Sequence, residues 1–281
     1  MAVDLHLHST ASDGGDSPSD VVKQAAVAGL GTIALTDHDN LDGIADARET
    51  ASEHGIDLIP GSELSVEWPH GSMHMLVYFL EPGAGPLQNR LEELQQGRKD
   101  RNVRVVEVLN ELGAEITYDE ISTEAQGRGI GRPHIAAVMV SKGYVADIQE
   151  AFDRYLATGR PAYQERLRLD LGEASELARA SKAVPVVAHP HTTGVTADDY
   201  GSGFREMAAA GVMGIEAHYS EYLPETRLHL ASLASGLGMI ATGGSDYHGR
   251  FKPDIAIGSG RGDLVVPDQV VDDLREAQAT L

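Results

Sequence analysis

The sequence predicts an α/β protein: a parallel sheet covered by crossover helices and interrupted by a long, mainly helical insertion. Three observations carry this. The first 68 residues read β-α-β-α-β in units of about thirty residues, the rhythm of a parallel sheet. Seven apolar segments finish in, or carry, His or acidic residues. Between Gly85 and about Tyr163 the pattern is mainly helical.

The elements follow in order. Val3, Leu5 and Leu7 alternate with Asp4, His6 and His8, the period-two pattern of a half-buried strand. His6 and His8 therefore leave the same face, about 7 Å apart along the strand. The loop Ser9–Gly14 follows and brings Asp13 back towards them. Ser17-Pro18-Ser19-Asp20 opens a helix whose stripe is Val21, Val22, Ala25, Ala26 and Leu30, ended by Gly29 and Gly31. A strand over Thr32–His38, a helix over Ile44–His54 and the strand IDLIPGSELSVEW come next, then a fourth strand, MHMLVYFL.

Glu81–Pro86 is rich in Pro and Gly and reads as a linker. Leu87–Leu112 places Leu91, Leu94, Val105, Val108, Leu109 and Leu112 on one helix side. Further helices are expected over about 117–125, 134–142 and 147–156, with no convincing strand until Val184. The division expected is a body of residues 1–84 and 164–281, with an insertion of 85–163 covering the active site. VPVVAHPH, GIEAHY and MIATGGSDYHG supply the last three strands, and Val270, Val271 and Leu274 mark a closing helix.

Composition narrows the chemistry. With no cysteine, any metal must be held by His and carboxylate, which suits Zn, Mn or Fe. A formal charge of −21 argues against adhesion to duplex nucleic acid but leaves an anionic small substrate open. No apolar run approaches the ~18 residues of a membrane span. A strand starting almost at Met1, with no cysteine anywhere, points to the cytoplasm.

In parallel α/β folds functional groups gather at the carboxyl ends of the strands. Collected there are His6, His8, Asp13, Asp37, His38, Glu63, His74, His189, Asp246 and His248. One ion needs about three protein ligands, so two or three ions fit the count better. Glu63 and Asp246 are suited to bridge them. Ions about 3.5–4 Å apart clamp the attacking and leaving oxygens of a phosphoester.

His6-Leu7-His8 with Ser12-Asp13-Gly14, Thr36-Asp37-His38, Pro60-Gly61-Ser62-Glu63, Ala188-His189-Pro190 and Gly244-Ser245-Asp246-Tyr247-His248 resemble the motifs of the polymerase and histidinol phosphatase (PHP) domain family, in the family's order. Gly131-Arg132-Pro133-His134-Ile135-Ala136 further resembles its subgroup of small nucleotide phosphoesterases. The resemblance implies a distorted seven-stranded (β/α) barrel with a trinuclear site. One ion would be held by His6, His8, Glu63 and Asp246, a second by Glu63, His74 and His189, and a third by Asp13, His38 and His248. Asp37 would orient His38 or a metal-bound water. Arg132 and His134 would grip the substrate phosphate, with Asp246, Glu63 and His189 closest to the chemistry. The implied activity is hydrolysis of a small nucleotide: a 3′,5′-nucleoside bisphosphate, or short RNA from its 5′ end. A cyclic-phosphate diesterase and a histidinol phosphatase are the rivals within this class, and a non-catalytic metal-binding domain is the rival outside it.

His191 stands where family members commonly have a small residue; a ligand, a leaving-group acid and a plain hydrogen-bonding role all stay open. His218 with Glu216 could border the substrate. His54, His70 and His229 read as solvated or structural. Arg98, Arg101 and Arg104 share a helix face, either solvated or lining a pocket. Gly127, Gly129 and Gly131 around Arg128 suggest a mobile loop.

Overall fold

The first strand, β1 (Ala2–Leu7), runs into α1 (Pro18–Val27), β2 (Leu30–Leu35), α2 (Ile44–His54) and β3 (Asp57–Trp68). Ser17 caps α1 by accepting from the Asp20 N–H, with Pro18 in the first turn. Gly29, at φ 76°, ends that helix in the left-handed region. Leu30, expected on the helical stripe, instead opens β2 and pairs with Ala2.

A computed structural model gives this architecture for residues 2–125, 130–165 and 167–281. The loop expected around Gly127, Arg128 and Gly129 lies outside the described residues. The chain divides into two compact units, Met1–Leu91 with Arg168–Leu281, and Glu92–Leu167. The division falls within one long helix, α3 (Pro86–Glu111).

In the first unit, β4 (Gly71–Tyr78) follows β3. Then come β5 (Leu169–Asp170), α7 (Leu171–Ala180), β6 (Val184–Val187), α8 (Tyr200–Ala209), β7 (Gly214–Tyr219), α9 (Pro224–Gly236), β8 (Ile240–Gly244) and α10 (Gln269–Ala279). The remaining helices, α4 (Tyr118–Glu124), α5 (Arg132–Ser141) and α6 (Ile148–Ala151), belong to the second unit. Strand order is β1-β2-β3-β4-β6-β7-β8, with β5 paired to β3 off that path. The path closes where the His8 N–H donates to the Tyr247 carbonyl (3.1 Å) and the Asp246 N–H to the His6 carbonyl (2.9 Å). The result is the seven-stranded distorted barrel that the resemblance implied.

Two expectations are corrected. The sheet is mixed, because β4 runs antiparallel to both β3 and β6. The turn at Trp68-Pro69-His70-Gly71 is too short for a crossover, so β4 must fold back. A strand also precedes Val184, since Leu169 and Asp170 pair with Val66 and Glu67. Two residues are too few to show a periodic signal.

Val3, Leu5, Ile59, Leu76 and Val186 pack with Val270, Val271 and Leu274 of α10. A second cluster sets Val21, Val22 and Ala25 of α1 and Ile44, Ala47 and Ala51 of α2 against Ile33 and Leu35. The second unit has its own core, including Val105, Leu109, Ile121, Ile135, Met139 and Leu156. There α6 runs into a π-helical turn, Phe152–Leu156. On α3, Arg104 pairs with Glu107 (2.8 Å) and Arg101 bonds Asn102.

Closure depends on a bare backbone at Gly244: a Cβ there would lie 2.4 Å from the His6 Cβ and 2.5 Å from the His6 nitrogen. Gly244→Ala should therefore cost about 3 kcal/mol, a fall in Tm of roughly 6–12 °C. An unchanged thermal transition would show that β8 does not press on β1 as described.

Candidate metal centre

The carboxyl end of β1 delivers two imidazoles to one point. His6 and His8 are fully buried, and their Nε2 atoms face each other at 3.0 Å. Hydrogen-bonded pairing carries β3 away from β2 after Pro60 and onto β4 from Gly61. Glu63 therefore emerges just past the end of β2, at the same rim. His74 reaches that rim from the amino-terminal half of β4, because an antiparallel strand enters where its neighbours leave. His189 and Asp246 follow β6 and β8 directly, at the left-handed φ values of 25° and 55°.

Glu63 is 1% exposed and touches five imidazoles. Its Oε2 lies 3.4 Å from His6 Nε2, 3.2 Å from His8 Nε2 and 3.2 Å from His38 Nδ1. Its Oε1 lies 3.0 Å from His74 Nδ1 and 2.9 Å from His189 Nε2. Asp246 Oδ1 lies 3.5, 3.4 and 3.3 Å from His6, His8 and His248. Asp13, on the loop after β1, approaches His8 (3.6 Å), His38 (3.7 Å) and His248 (3.4 Å). Gly14 permits that loop, since a Cβ there would meet the His8 carbonyl oxygen at 2.5 Å.

All nine residues proposed as ligands from the sequence thus come to one rim of the first unit. Ligand-capable atoms gather as His8, Asp13, His38 and His248; as His6, His8 and Glu63; and as His38, Glu63 and His74. These sets share His8, His38 and Glu63, so the sites are contiguous.

A divalent ion fits this donor set. Ligands about 2.0–2.1 Å from a common centre sit at tetrahedral edges of about 3.3–3.4 Å. His6 Nε2, His8 Nε2 and Glu63 Oε2 lie 3.0–3.4 Å apart, three such edges, and Asp246 Oδ1 lies 3.4–3.5 Å from both imidazoles. The buried Nδ1 atoms of His8 and His74 find no hydrogen-bond partner among the described residues, though each faces a carboxylate. A shared cation satisfies both partners of such a contact.

The electrostatics agree. Burial opposes charge on Glu63, yet His38, His74, His6 and His189 hold its carboxyl well below the usual range. Asp246 behaves alike, with His6 and His8 outweighing burial. Burial pushes the His8 imidazole down, but its bonds to Asp246 and Glu63 raise it to about 10. His38 is lowered, chiefly by burial. The centre is thus anionic in character and draws in positive charge, for which protons and metal ions compete.

Sequence reasoning names Glu216 only as a possible border of the substrate and passes over Tyr219 and Lys252, yet all three support the rim. Glu216, fully buried on β7, accepts from His6 Nδ1 (2.8 Å) with one oxygen and from the His189 N–H (2.8 Å) with the other. It thereby orients one proposed ligand's ring and another's backbone. The Tyr219 hydroxyl donates to Asp246 Oδ2 (2.9 Å), and the Lys252 ammonium binds the same oxygen. That clamp turns Oδ1 towards His6 and His8. Only their partners, 210 residues away in sequence for Glu216 with His6 and 27 for Tyr219 with Asp246, separate these groups from ordinary core polar residues.

Asp37 differs from its expected role. Its oxygens accept from the Ser9 N–H (2.8 Å), the Ser9 hydroxyl (2.6 Å) and the Ser12 hydroxyl (2.6 Å). It ties down the loop that carries Asp13. His191 is exposed and bonds Tyr222. In the second unit, Arg132 and His134 open α5; the Arg132 guanidinium donates to the Leu156 carbonyl (3.1 Å) and lies over the Phe152 and Tyr163 rings.

Barrel and His/carboxylate rim define the class, a metal-dependent phosphoesterase. A solved structure from Bifidobacterium adolescentis, described as a metal-dependent phosphoesterase, superposes with a TM-score of 0.77 at 29% identity, over 97% of this chain and 94% of its own. The PHP domain family matches residues 4–159. A 5′-3′ exoribonuclease of Haemophilus influenzae is 31% identical over 245 residues, 87% of this chain and 89% of that protein. A 3′,5′-nucleoside bisphosphate phosphatase of Chromobacterium violaceum is 30% identical over 247 residues, 88% and 87% of the two chains. The chain belongs to the PHP domain family. Among the described residues no helix is long and apolar enough to cross a membrane.

Glu216→Gln keeps the shape of the side chain but weakens its hold on His6. Metal affinity, measured by competition with a chelating dye, should fall about 10–100-fold with the circular dichroism unchanged. Wild-type affinity in this variant would remove Glu216 from the metal-holding machinery.

Proposed function

We propose that this chain hydrolyses phosphate esters of a small nucleotide, either a 3′,5′-bisphosphorylated nucleoside or the 5′ end of a short RNA. The observation that carries the reading is the convergence of His6 Nε2, His8 Nε2 and Glu63 Oε2, 3.0–3.4 Å apart, on one point of the rim, with Asp246 Oδ1 3.4–3.5 Å from both imidazoles. The names of relatives aligned over most of this chain supply the substrate class. The charge of −21 disfavours a duplex substrate. The cysteine-free composition supports a cytoplasmic setting.

In this reading the rim holds two or three ions of manganese, zinc or iron, on the oxygen and imidazole donors those metals accept. His6, His8, Glu63 and Asp246 would hold one ion, Glu63, His74 and His189 a second, and Asp13, His38 and His248 a third. Bound there, divalent ions supply Lewis acidity to the phosphoryl group and a nucleophile from water at neutral pH. The chain's own residues supply position. Tyr219 and Lys252 fix the Asp246 carboxylate, Glu216 fixes His6 and the His189 backbone, and Asp37 fixes the Asp13 loop. Preorganised groups of this kind reorganise little as charge develops on phosphorus, and this lowers the barrier. Arg132 and His134 are our candidates for binding the substrate phosphate, the guanidinium by a two-pronged charge-assisted contact.

The deciding assay follows phosphate release from adenosine 3′,5′-bisphosphate, short RNA, histidinol phosphate and a cyclic phosphate, with manganese or zinc. Release from the first two, abolished by chelation and restored by metal, is expected. Release only from the others would refute the nucleotide assignment. Asp246→Asn should lower turnover at least about 100-fold while the protein stays folded. Asp13→Ala should remove about one ion per chain by elemental analysis; an unchanged metal content would exclude Asp13 as a ligand.

A further inference from the structure

Beside the proposed ligands stands an aromatic wall of which the chemistry above uses only the Tyr219 hydroxyl. His191 lies in the short turn Pro190–Thr193, immediately after β6, and Tyr219 and Tyr222 lie at the end of β7 and in the loop after it. The His191 ring is 6.0 Å from the His189 ring, 5.7 Å from Tyr219 at a tilt of 34°, and 5.4 Å from Tyr222, which it meets edge-on. Tyr219 and Tyr222 are 5.2 Å apart. These rings form a continuous run from a buried proposed ligand to an exposed imidazole.

The exposed ring is held in place. The Tyr222 hydroxyl accepts from the His191 backbone N–H (3.0 Å) and lies 3.0 Å from His191 Nδ1. With its own proton given to Nδ1, all three groups are satisfied and Nε2 carries the imidazole proton. An exposed side chain of this kind is ordinarily free to rotate. Here hydrogen bonds between two adjacent strand-end loops fix it, with Tyr219 packed against the ring and its edge donor set.

We propose that His191, held by the Tyr222 hydroxyl and packed on Tyr219, is a stacking subsite for the heterocyclic base of the nucleotide. The inference rests on the nucleotide reading above and adds where the base is recognised. A fixed aromatic plane beside the rim suits a planar, uncharged ring, which stacks whatever its identity. The wall therefore separates two tasks: the carboxylate-and-imidazole rim handles phosphate, and the His191 plane selects substrates that carry a base.

Calorimetry on manganese-loaded protein with AMP and with ribose 5-phosphate tests this, since the two ligands share the phosphate and differ in the base. Wild-type protein should bind AMP about tenfold tighter, the fold-change that one base stacked on an aromatic ring provides. His191→Ala should bring the two affinities within about twofold, leaving ribose 5-phosphate binding unchanged, while His191→Phe should keep most of the preference. Equal affinities in the wild type, or a preference that survives His191→Ala, would overturn the subsite. Phosphate release from adenosine 3′,5′-bisphosphate, assayed in parallel, reports on the activity separately. A base preference without release would refute only the proposed reaction, and release without a preference only the subsite.

Discussion

One carboxylate organises this protein. Glu63 sits almost fully buried among five imidazoles, from His6, His8, His38, His74 and His189, at 2.9–3.4 Å. A buried anion is costly unless matched by positive charge and hydrogen bonds. Apart from β3, which contributes the carboxylate itself, every strand from β1 to β6 on the barrel path brings an imidazole to Glu63, directly or from the loop that follows it. The barrel's registers therefore converge on this side chain. Shifting β3 by one residue would turn it to the opposite face and leave five imidazoles around nothing.

The surrounding backbone shows what that convergence demands. His189 and Asp246 both sit at positive φ, where side chains are rarely found and each such residue costs about 1–3 kcal/mol. The cost is offset locally. The His189 N–H is held by Glu216, and the Asp246 N–H closes the barrel on His6. Asp4, on the same face of β1 as the two histidines, accepts from the Ser245 and Gly258 N–H groups and ties the last strand's loop to the first strand. The interactions that close the barrel thus share residues with those that shape the rim, and this coupling makes Gly244 as much a site residue as a fold residue.

Much of this is legible in the chain, for a physical reason. Alternation in β1 sets His6 and His8 on one face, and metal-suited residues recur wherever an apolar segment stops. Such signals are local. The parts that escape are relations between distant segments. β4 carries a strand pattern but no mark of its direction, which the short turn at Trp68–Gly71 decides. Asp37 reads like a ligand because it adjoins His38, yet its oxygens are taken by Ser9 and Ser12. Tyr219 and Lys252 read as ordinary polar residues, and Glu216 only as a neighbour of the substrate, until the fold brings them to His6 and Asp246. Arg132 and His134 are placed within their own unit by α5, and their part in binding phosphate stays a proposal drawn from residue type and family likeness.

The sharing of Glu63 between the proposed metal sites has a direct consequence for the metal content of Glu63→Gln. The substitution keeps the shape of the side chain and removes its charge. Elemental analysis after dialysis against limiting manganese should show two or more ions per chain in the wild type and a loss of more than one in the variant. A variant that keeps every ion, or sheds only one of several, would contradict the claim and reduce Glu63 to a ligand of a single site.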